Sequence, residues 1–495
     1  MKTVSNRFYY FRSSSLDPTL SFLLLVLTFW FLSRFTTTTT TKTRNTKKKH
    51  LVIAYESVPH NVDGAERYLG TIIRTFADVK FDLSVTFIAR SSRGKCGALA
   101  SDKTSLIGGG GGVHVIEATP DSTVFAQLMT LPNTVLFLPL SFFDSCSGKE
   151  VNSSSEDYSF ALRSMQKAAK CSGLSSASSL CATKVCIFSF DAQADRARGL
   201  SLHEPHAEQA LRYKKEMILY HERETLLYNR GDFLVMLTKE DLSAITTTIS
   251  KRKRALLWFR DDLPTTSASK SRSDHSTPEQ RALSATHILP KWNQRDGFVF
   301  VGSGNSGTNQ VALWLFLKTV WPRVHAALPN TFLHVVGPLP STLCKKYEIW
   351  CSWTEDLPEK SIQNVVIEGL IDDLDAFLAQ RRIGVAPMIT GTGVNTKTGL
   401  FLARGIPVVG TTKAARGFEL INGDAGGDYG EGLKVIKSKN EKSFNVEAYA
   451  MSLIRLYQNE NEWKGASEAA LLLSIQLDQV RKEALDVQAL LEMIF

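Results

Sequence analysis

Residues 382–411 read "RIGVAPMITGTGVNTKTGLFLARGIPVVGT". An apolar run (382–389) leads into a glycine-punctuated turn. A helical stretch begins near Asn395, and a second apolar run (405–411) closes the unit. A strand, a glycine turn, a helix and a strand make the repeating unit of a parallel sheet. The same alternation extends upstream, with strand-like runs at 297–304, 331–337 and 364–371. Between the first two lies "TNQVALWLFLKTVWPRVHAAL" (308–328), which reads as one helix with Trp314, Leu317, Trp321 and Leu328 on its apolar face. The first half repeats the pattern, with strands at 51–55, 83–89, 113–118, 134–140, 185–190 and 233–237 and a long helix over about 206–230. This predicts an α/β protein of two tandem Rossmann-like, doubly wound domains. Such sheets take ligands at the carboxyl ends of their strands, so two of them facing each other put the cleft between them.

The expected organisation is an N-terminal tail (1–17), a membrane anchor (18–33), a basic Thr-rich stem (34–50), a first Rossmann-like domain (51–260), a linker (261–296), a second Rossmann-like domain (297–440) and C-terminal helices (441–495). The anchor rests on an uncharged run, "PTLSFLLLVLTFWFLS" (18–33), shorter than the roughly 20 residues usual for a span. A cleaved signal and an organelle transit segment are the other readings of this region. We expect a single-pass membrane protein of the endoplasmic reticulum or Golgi, although Lys and Arg beyond the span favour a cytosolic C-terminal part. The linker is the Ser-, Thr- and Pro-rich stretch that starts at Asp261.

The chain has 495 residues, 43% of them hydrophobic, enough for real cores, and a net charge of +9. Much of that surplus sits in the N-terminal run, and no basic stripe alternates with aromatics, so nucleic acid is not an expected partner. The seven cysteines form no Cys-x-x-Cys pair, and the proline within His203-Glu204-Pro205-His206 reads as a turn, so no metal site is expected. The five glycines 108–112 precede a strand and read as a loop tip.

The chemistry concentrates in Gly391-x-x-x-x-Thr396-Lys397-Thr398. One reading is a phosphate-binding P-loop, but Thr396 stands where that motif has glycine, and the strand that follows brings no acidic residue to hold a cation. The other reading keeps the anion site and changes the ligand: Gly391 and Gly393 expose backbone N–H groups, and Lys397 in the first helical turn adds positive charge for the diphosphate of an activated sugar.

With these residues in view, the second half resembles the glycosyl transferases of group 1, family 4-like, with the two-domain GT-B fold. The likeness rests on "FVGSGNSGTNQVALWLFLKTVWPRVHAALPNTFLHVVG" (300–337) and on "VVIEGLIDDLDAFLAQRRIGVAPMITGTGVNTKTGLFLARGIPVVGTTKAARGF" (365–418). "YESVPHNVDGAERYLGTIIRTF" (55–76) and "FSFDAQADRARG" (188–199) fit the first domain more loosely. The resemblance implies transfer of a sugar from a nucleotide sugar to a glycan, lipid or protein acceptor, with no cofactor and no metal. It implies that Gly302 and Ser303 end the second domain's first strand, that Gly391, Gly393, Val394, Asn395 and Lys397 line the diphosphate site, and that Thr411 and Thr412 close the donor loop. The resemblance likewise implies that Asp63, Gly64 and Glu66 face the cleft on the acceptor side. Lys397 and Asp191 are the candidate catalytic residues, although a carboxylate in the position of Asp191 also serves as a helix cap. Relatives carry two glutamates where this chain has Thr392 and Leu400, and leucine cannot accept a bond from a ribose hydroxyl. A non-catalytic nucleotide-sugar-binding homologue is therefore an alternative, with a P-loop-like NTPase as the other.

Overall fold

The computed structural model describes residues 49–55, 76, 83–89, 113–117, 123–129, 133–140, 164, 184–245, 254–257, 289–304, 306–337, 363–418, 431–440, 443–483 and 487–495. The expected anchor (18–33), the glycine run, most of the linker, and Asp63, Gly64 and Glu66 lie outside them. Among the described residues no helix is long and apolar enough to cross a membrane.

Two parallel sheets organise the chain. The first contains β1 (Lys49–Tyr55), β2 (Leu83–Ala89), β3 (Val113–Glu117), β4 (Thr134–Leu140), β5 (Lys184–Ser189), β6 (Phe233–Met236) and β7 (Arg254–Leu257) in the order β3-β2-β1-β4-β5-β6-β7. Its helices are α1 (Thr123–Met129), α2 (Gln193–His203), α3 (Ala207–Arg230) and α4 (Lys239–Ile245). The second sheet contains β8 (Asp296–Val301), β9 (Leu333–Val336), β10 (Val365–Gly369), β11 (Arg381–Ala386), β12 (Val408–Thr411) and β13 (Leu433–Ile436) in the order β10-β9-β8-β11-β12-β13. Its helices are α5 (Gly307–Thr319), α6 (Trp321–Ala327), α7 (Leu374–Ala379) and α8 (Thr396–Leu402). Each order reverses direction once, between β1 and β4 and between β8 and β11. Dinucleotide-binding sheets share this arrangement, and the crevice at the reversal is where their ligands sit.

Strands buried on both faces need apolar residues without alternation. Accordingly, Phe298, Val299, Phe300, Val385, Val408 and Val409 are all buried in one core with Trp321 and Phe401. Trp321 keeps its indole N–H satisfied by donating to the Gln363 carbonyl at 2.7 Å. The single helix expected over 308–328 is broken in two. Pro322 cannot donate to a preceding turn, and it stands instead at the start of α6, where a missing N–H costs nothing.

Three other expectations change. The run 405–411 is strand only from Val408, because Gly405 takes a positive φ of +57° and turns the chain. That run is not the last strand, since β13 pairs with β12 beyond it. The last residues of the expected linker, 289–296, pack on the second domain. Leu289 lies against Leu471 and Ile475, and the buried Arg295 guanidinium donates to the carbonyls of Pro290, Arg381 and Arg404 at 3.1, 3.3 and 3.1 Å.

After a hairpin of β14 (Ser438–Asn440) and β15 (Ser443–Phe444), the C-terminal helices α9 (Val446–Gln458), α10 (Glu460–Glu483) and α11 (Val487–Ile494) follow. The end of the chain returns to the first sheet. Lys184 Nζ, at the start of β5, donates to the Phe495 carbonyl at 3.1 Å, and Lys49 Nζ lies 5.3 Å from the centre of the Phe495 ring. Lys49 and His50 thereby belong to β1 rather than to the expected stem.

Candidate active site

The second sheet's crevice is built from two strand ends. β8 runs out into the turn at Gly302 and Ser303, and β11 runs out into residues 387–395. Asn309, in the first turn of α5, ties both together. Its Nδ2 donates to the Ser303 carbonyl at 3.0 Å, and its Oδ1 accepts from Lys397 Nζ at 2.8 Å. A Cβ on Gly302 would lie 2.9 Å from the Asn309 amide and push it off this bridge. The Lys397 amine also reaches Met388 Sδ at 3.3 Å and lies 5.3 Å from the centre of the Phe300 ring. Among the described residues it pairs with no carboxylate. Burial disfavours its charged form and pushes its pKa down to about 7. A cation kept out of water and given only a neutral amide as partner is set up to receive an anion.

Residues 389–395 form a loop fixed from behind. Gly391 and Gly393 take φ values of +123° and +68°. Arg416 Nη1 donates to the Gly391 carbonyl at 2.7 Å, and Thr398 Oγ1 donates to the Ala414 carbonyl at 2.8 Å. Thr411 is buried, and its hydroxyl donates to the Met388 carbonyl and accepts from Ala414 N–H, so it braces the loop. Thr412 is exposed. Val394 packs under Gly417, whose added Cβ would lie 2.9 Å from Val394 Cγ2. Asn395 stands at the N-cap of α8 without a side-chain capping bond. Among the described residues, nothing accepts from the N–H groups of Thr396 and Lys397. The hydroxyls of Thr390 and Thr392 are buried without a hydrogen-bond partner. Leu400 is half-buried and packs against the apolar core.

The first domain meets this loop directly. Gly199 in α2 lies so close to Thr390 that a Cβ on it would be 2.0 Å from Thr390 Oγ1. Leu200, Tyr213, Val311, Trp314 and Ile389 form an apolar contact across the cleft. Asp191 follows β5 and abuts Gly393, whose added Cβ would stand 2.3 Å from Asp191 Oδ1. Asp191 does not cap α2. That task falls to Glu224 of α3, which accepts from Gln193 N–H at 2.6 Å and Ala194 N–H at 3.3 Å. Asp191 and Gly393 are therefore brought together, and Gly302, Ser303 and Lys397 are joined through Asn309. Sequence reasoning missed Asn309, Arg416 and Asp241. The one signal available was that Asn309 lies in the first turn after a glycine bend.

Glu224 makes a pH prediction. Burial pushes its pKa from 4.5 up to about 8, outweighing the two N–H donors. A carboxyl whose folded-state pKa is raised contributes stability below pH 4.5 that is lost as pH rises through 8. At about 1.4 kcal/mol per unit the loss is on the order of a few kcal/mol. Urea unfolding of Glu224→Gln should show a flatter decline between pH 5 and pH 8 than wild type. Equal slopes would show that Glu224 does not titrate in this range.

Residues 295–459 match the profile of the family described as glycosyl transferases group 1. No curated protein matches the chain. Among solved structures, the pneumococcal O-GlcNAc transferase GtfA in complex with UDP and GlcNAc is similar, with a TM-score of 0.51, 9% identity and coverage of 90% of this chain and 99% of that one. TarM is similar to the same degree, with a TM-score of 0.51, 9% identity and coverage of 90% and 98%. At these identities the likeness is one of fold, the GT-B arrangement of two parallel-sheet domains.

Proposed function

We propose that this chain, whose residues 295–459 match the group 1 glycosyl transferases, moves a sugar from a nucleoside-diphosphate sugar to an acceptor glycan, lipid or protein. The observation that supports this most is the Lys397 amine, lying at the reversal of the second sheet with no carboxylate among the described residues. In the reaction the bond from the anomeric carbon to the diphosphate oxygen breaks. A bond to an acceptor oxygen forms, and the proton of that hydroxyl passes to the departing diphosphate or to solvent. The departing diphosphate gains negative charge, and Lys397 with the N–H groups of Thr396 and Lys397 stabilises it. Asp191 faces the same place from the first domain, where the acceptor would enter.

Leu400 gives the second reading its footing. Half-buried against the core, its apolar side chain can accept no bond from a ribose hydroxyl, which suits a homologue that binds nucleotide sugars without turning them over. Turnover of a donor panel separates the two. Membrane attachment through residues 18–33, in the endoplasmic reticulum or Golgi, belongs to the same proposal, and carbonate extraction of the full-length chain tests it: release into the supernatant would refute it.

UDP, which the pneumococcal enzyme holds, is the first probe. Calorimetric titration of the full-length chain should show micromolar UDP binding. Thr396→Gly completes the P-loop motif, yet it should create no ATPase and should lower stability only by roughly 0.3 kcal/mol, since glycine is a slightly poorer helix former than threonine. Mg²⁺-dependent ATP hydrolysis by wild type, with no affinity for UDP or other nucleoside diphosphates, would overturn the proposal in favour of the NTPase.

A further inference from the structure

The donor loop is gripped from the first domain by a residue 152 positions earlier in the chain. Asp241, in the first turn of α4, is completely buried. Its N–H donates to Thr238 Oγ1 at 3.1 Å, and Thr238 Oγ1 donates to Asp241 Oδ2 at 2.7 Å. The Gly393 N–H donates to that same Oδ2 at 2.7 Å. The other oxygen, Oδ1, lies 3.4 Å from Arg416 Nη2, and the same guanidinium donates through Nη1 to the Gly391 carbonyl. One carboxylate and one guanidinium thus hold both glycines of the turn.

This is more than α4 needs. Its first N–H groups could be capped by Thr238 alone, and a carboxylate without exposure is costly unless it is paired. The contact also fixes direction. Gly393 N–H is turned toward the first domain and is not available to a phosphate. The N–H groups of Thr396 and Lys397, one turn further on, have no acceptor among the described residues. Asp241 is held on the first-domain side of the loop by Thr238.

We propose that Asp241 is a positioning residue for the donor diphosphate: by holding Gly393 and, through Arg416, Gly391, it sets the turn that presents Lys397 and the free N–H groups. This rests on the reading of the loop as a diphosphate site. It also makes donor binding depend on closure of the two domains, because the carboxylate belongs to one and the loop to the other.

The test is Asp241→Asn in the full-length chain, which keeps the shape and removes the charge that pairs with Arg416. UDP affinity by calorimetry should fall about tenfold, the scale of a lost charge-assisted hydrogen bond. Uridine affinity, followed by saturation-transfer NMR, should not change, because only the diphosphate touches the loop. Thr238→Val, which takes away the hydroxyl orienting the carboxylate, should cost UDP about threefold and decides the matter if the first variant does not fold. Wild-type UDP affinity or tighter binding in a folded variant overturns the proposal. So does an equal loss for UDP and uridine, which marks a structural role only. If wild type binds none of UDP, GDP and ADP, the reading of the site fails and the proposal with it; if it binds GDP or ADP in place of UDP, the same comparison is made with that nucleotide and its nucleoside.

Discussion

Gly393→Ala is expected to abolish UDP binding, by more than about a hundredfold, and to lower the melting temperature. Two effects add. The φ of +68° costs an L-residue about 1 kcal/mol. The new Cβ would also stand 2.3 Å from Asp191 Oδ1 and 2.9 Å from the Phe190 carbonyl oxygen. The carboxylate could swing away, but the carbonyl is backbone at the end of β5 and cannot. The loop must therefore leave the first domain, giving up the bond from Gly393 N–H to Asp241. Gly391→Ala is the control: its φ of +123° is also unfavourable, but its nearest contact is 3.8 Å away, so the loss should be milder. Adding Asp191→Ala to Gly393→Ala removes one of the two clashes and should recover part of the binding. Calorimetry and a thermal scan of the four proteins check this. UDP affinity in Gly393→Ala equal to wild type would contradict the proposed loop geometry.

Lys397→Met is expected to move stability and binding in opposite directions. A lysine whose folded-state pKa is lowered from 10.5 to about 7 binds fewer protons folded than unfolded between those values. Its contribution to stability therefore rises with pH across that window, and at neutral pH and below the buried charge is a burden. Methionine keeps the length without the charge, so the empty protein should gain about 1–3 kcal/mol at pH 6. UDP affinity should fall ten- to a hundredfold, since the charge-assisted bond to the diphosphate is worth about 1.5–3 kcal/mol. Lys397→Arg should recover only part of the affinity, because a planar guanidinium does not fit the niche between Asn309, Met388 and Phe300. A loss of stability in Lys397→Met would mean that the amine is a structural prop.

The sequence disclosed the strands written as nearly unbroken apolar runs. The strands at 83–89 and 134–140 have the bounds expected of them, because runs such as "TVLFLPL" have no other use than a sheet covered on both faces. β7 and β13 escaped, being four residues each with charged neighbours. Helix α2 was hidden for another reason: it buries Gln193 and Arg196 and packs Leu200 against the other domain, so no simple apolar stripe marks it. The loop at 389–395 was legible through its glycines and Lys397. The groups that aim it were not. Asn309, Asp241 and Arg416 act across 88, 152 and 25 positions of the chain, and polar residues that meet only in the folded chain leave no periodic trace. Val394, whose side chain lies against Gly417, and Thr411, which braces the loop through Met388 and Ala414, make contacts that the sequence did not spell out.

Proton uptake on UDP binding at pH 8 bears most directly on the central claim, that Lys397 receives the diphosphate. With a pKa of about 7 the amine is mostly neutral at that pH in the empty protein. A diphosphate beside it favours the charged form, so binding must draw a proton from solution. Calorimetric titrations of the full-length chain in buffers of different ionisation enthalpy count that proton. We predict uptake approaching one proton per UDP for wild type and close to none for Lys397→Met. Equal uptake by the two proteins, or UDP binding in which wild type takes up no proton, would contradict the account.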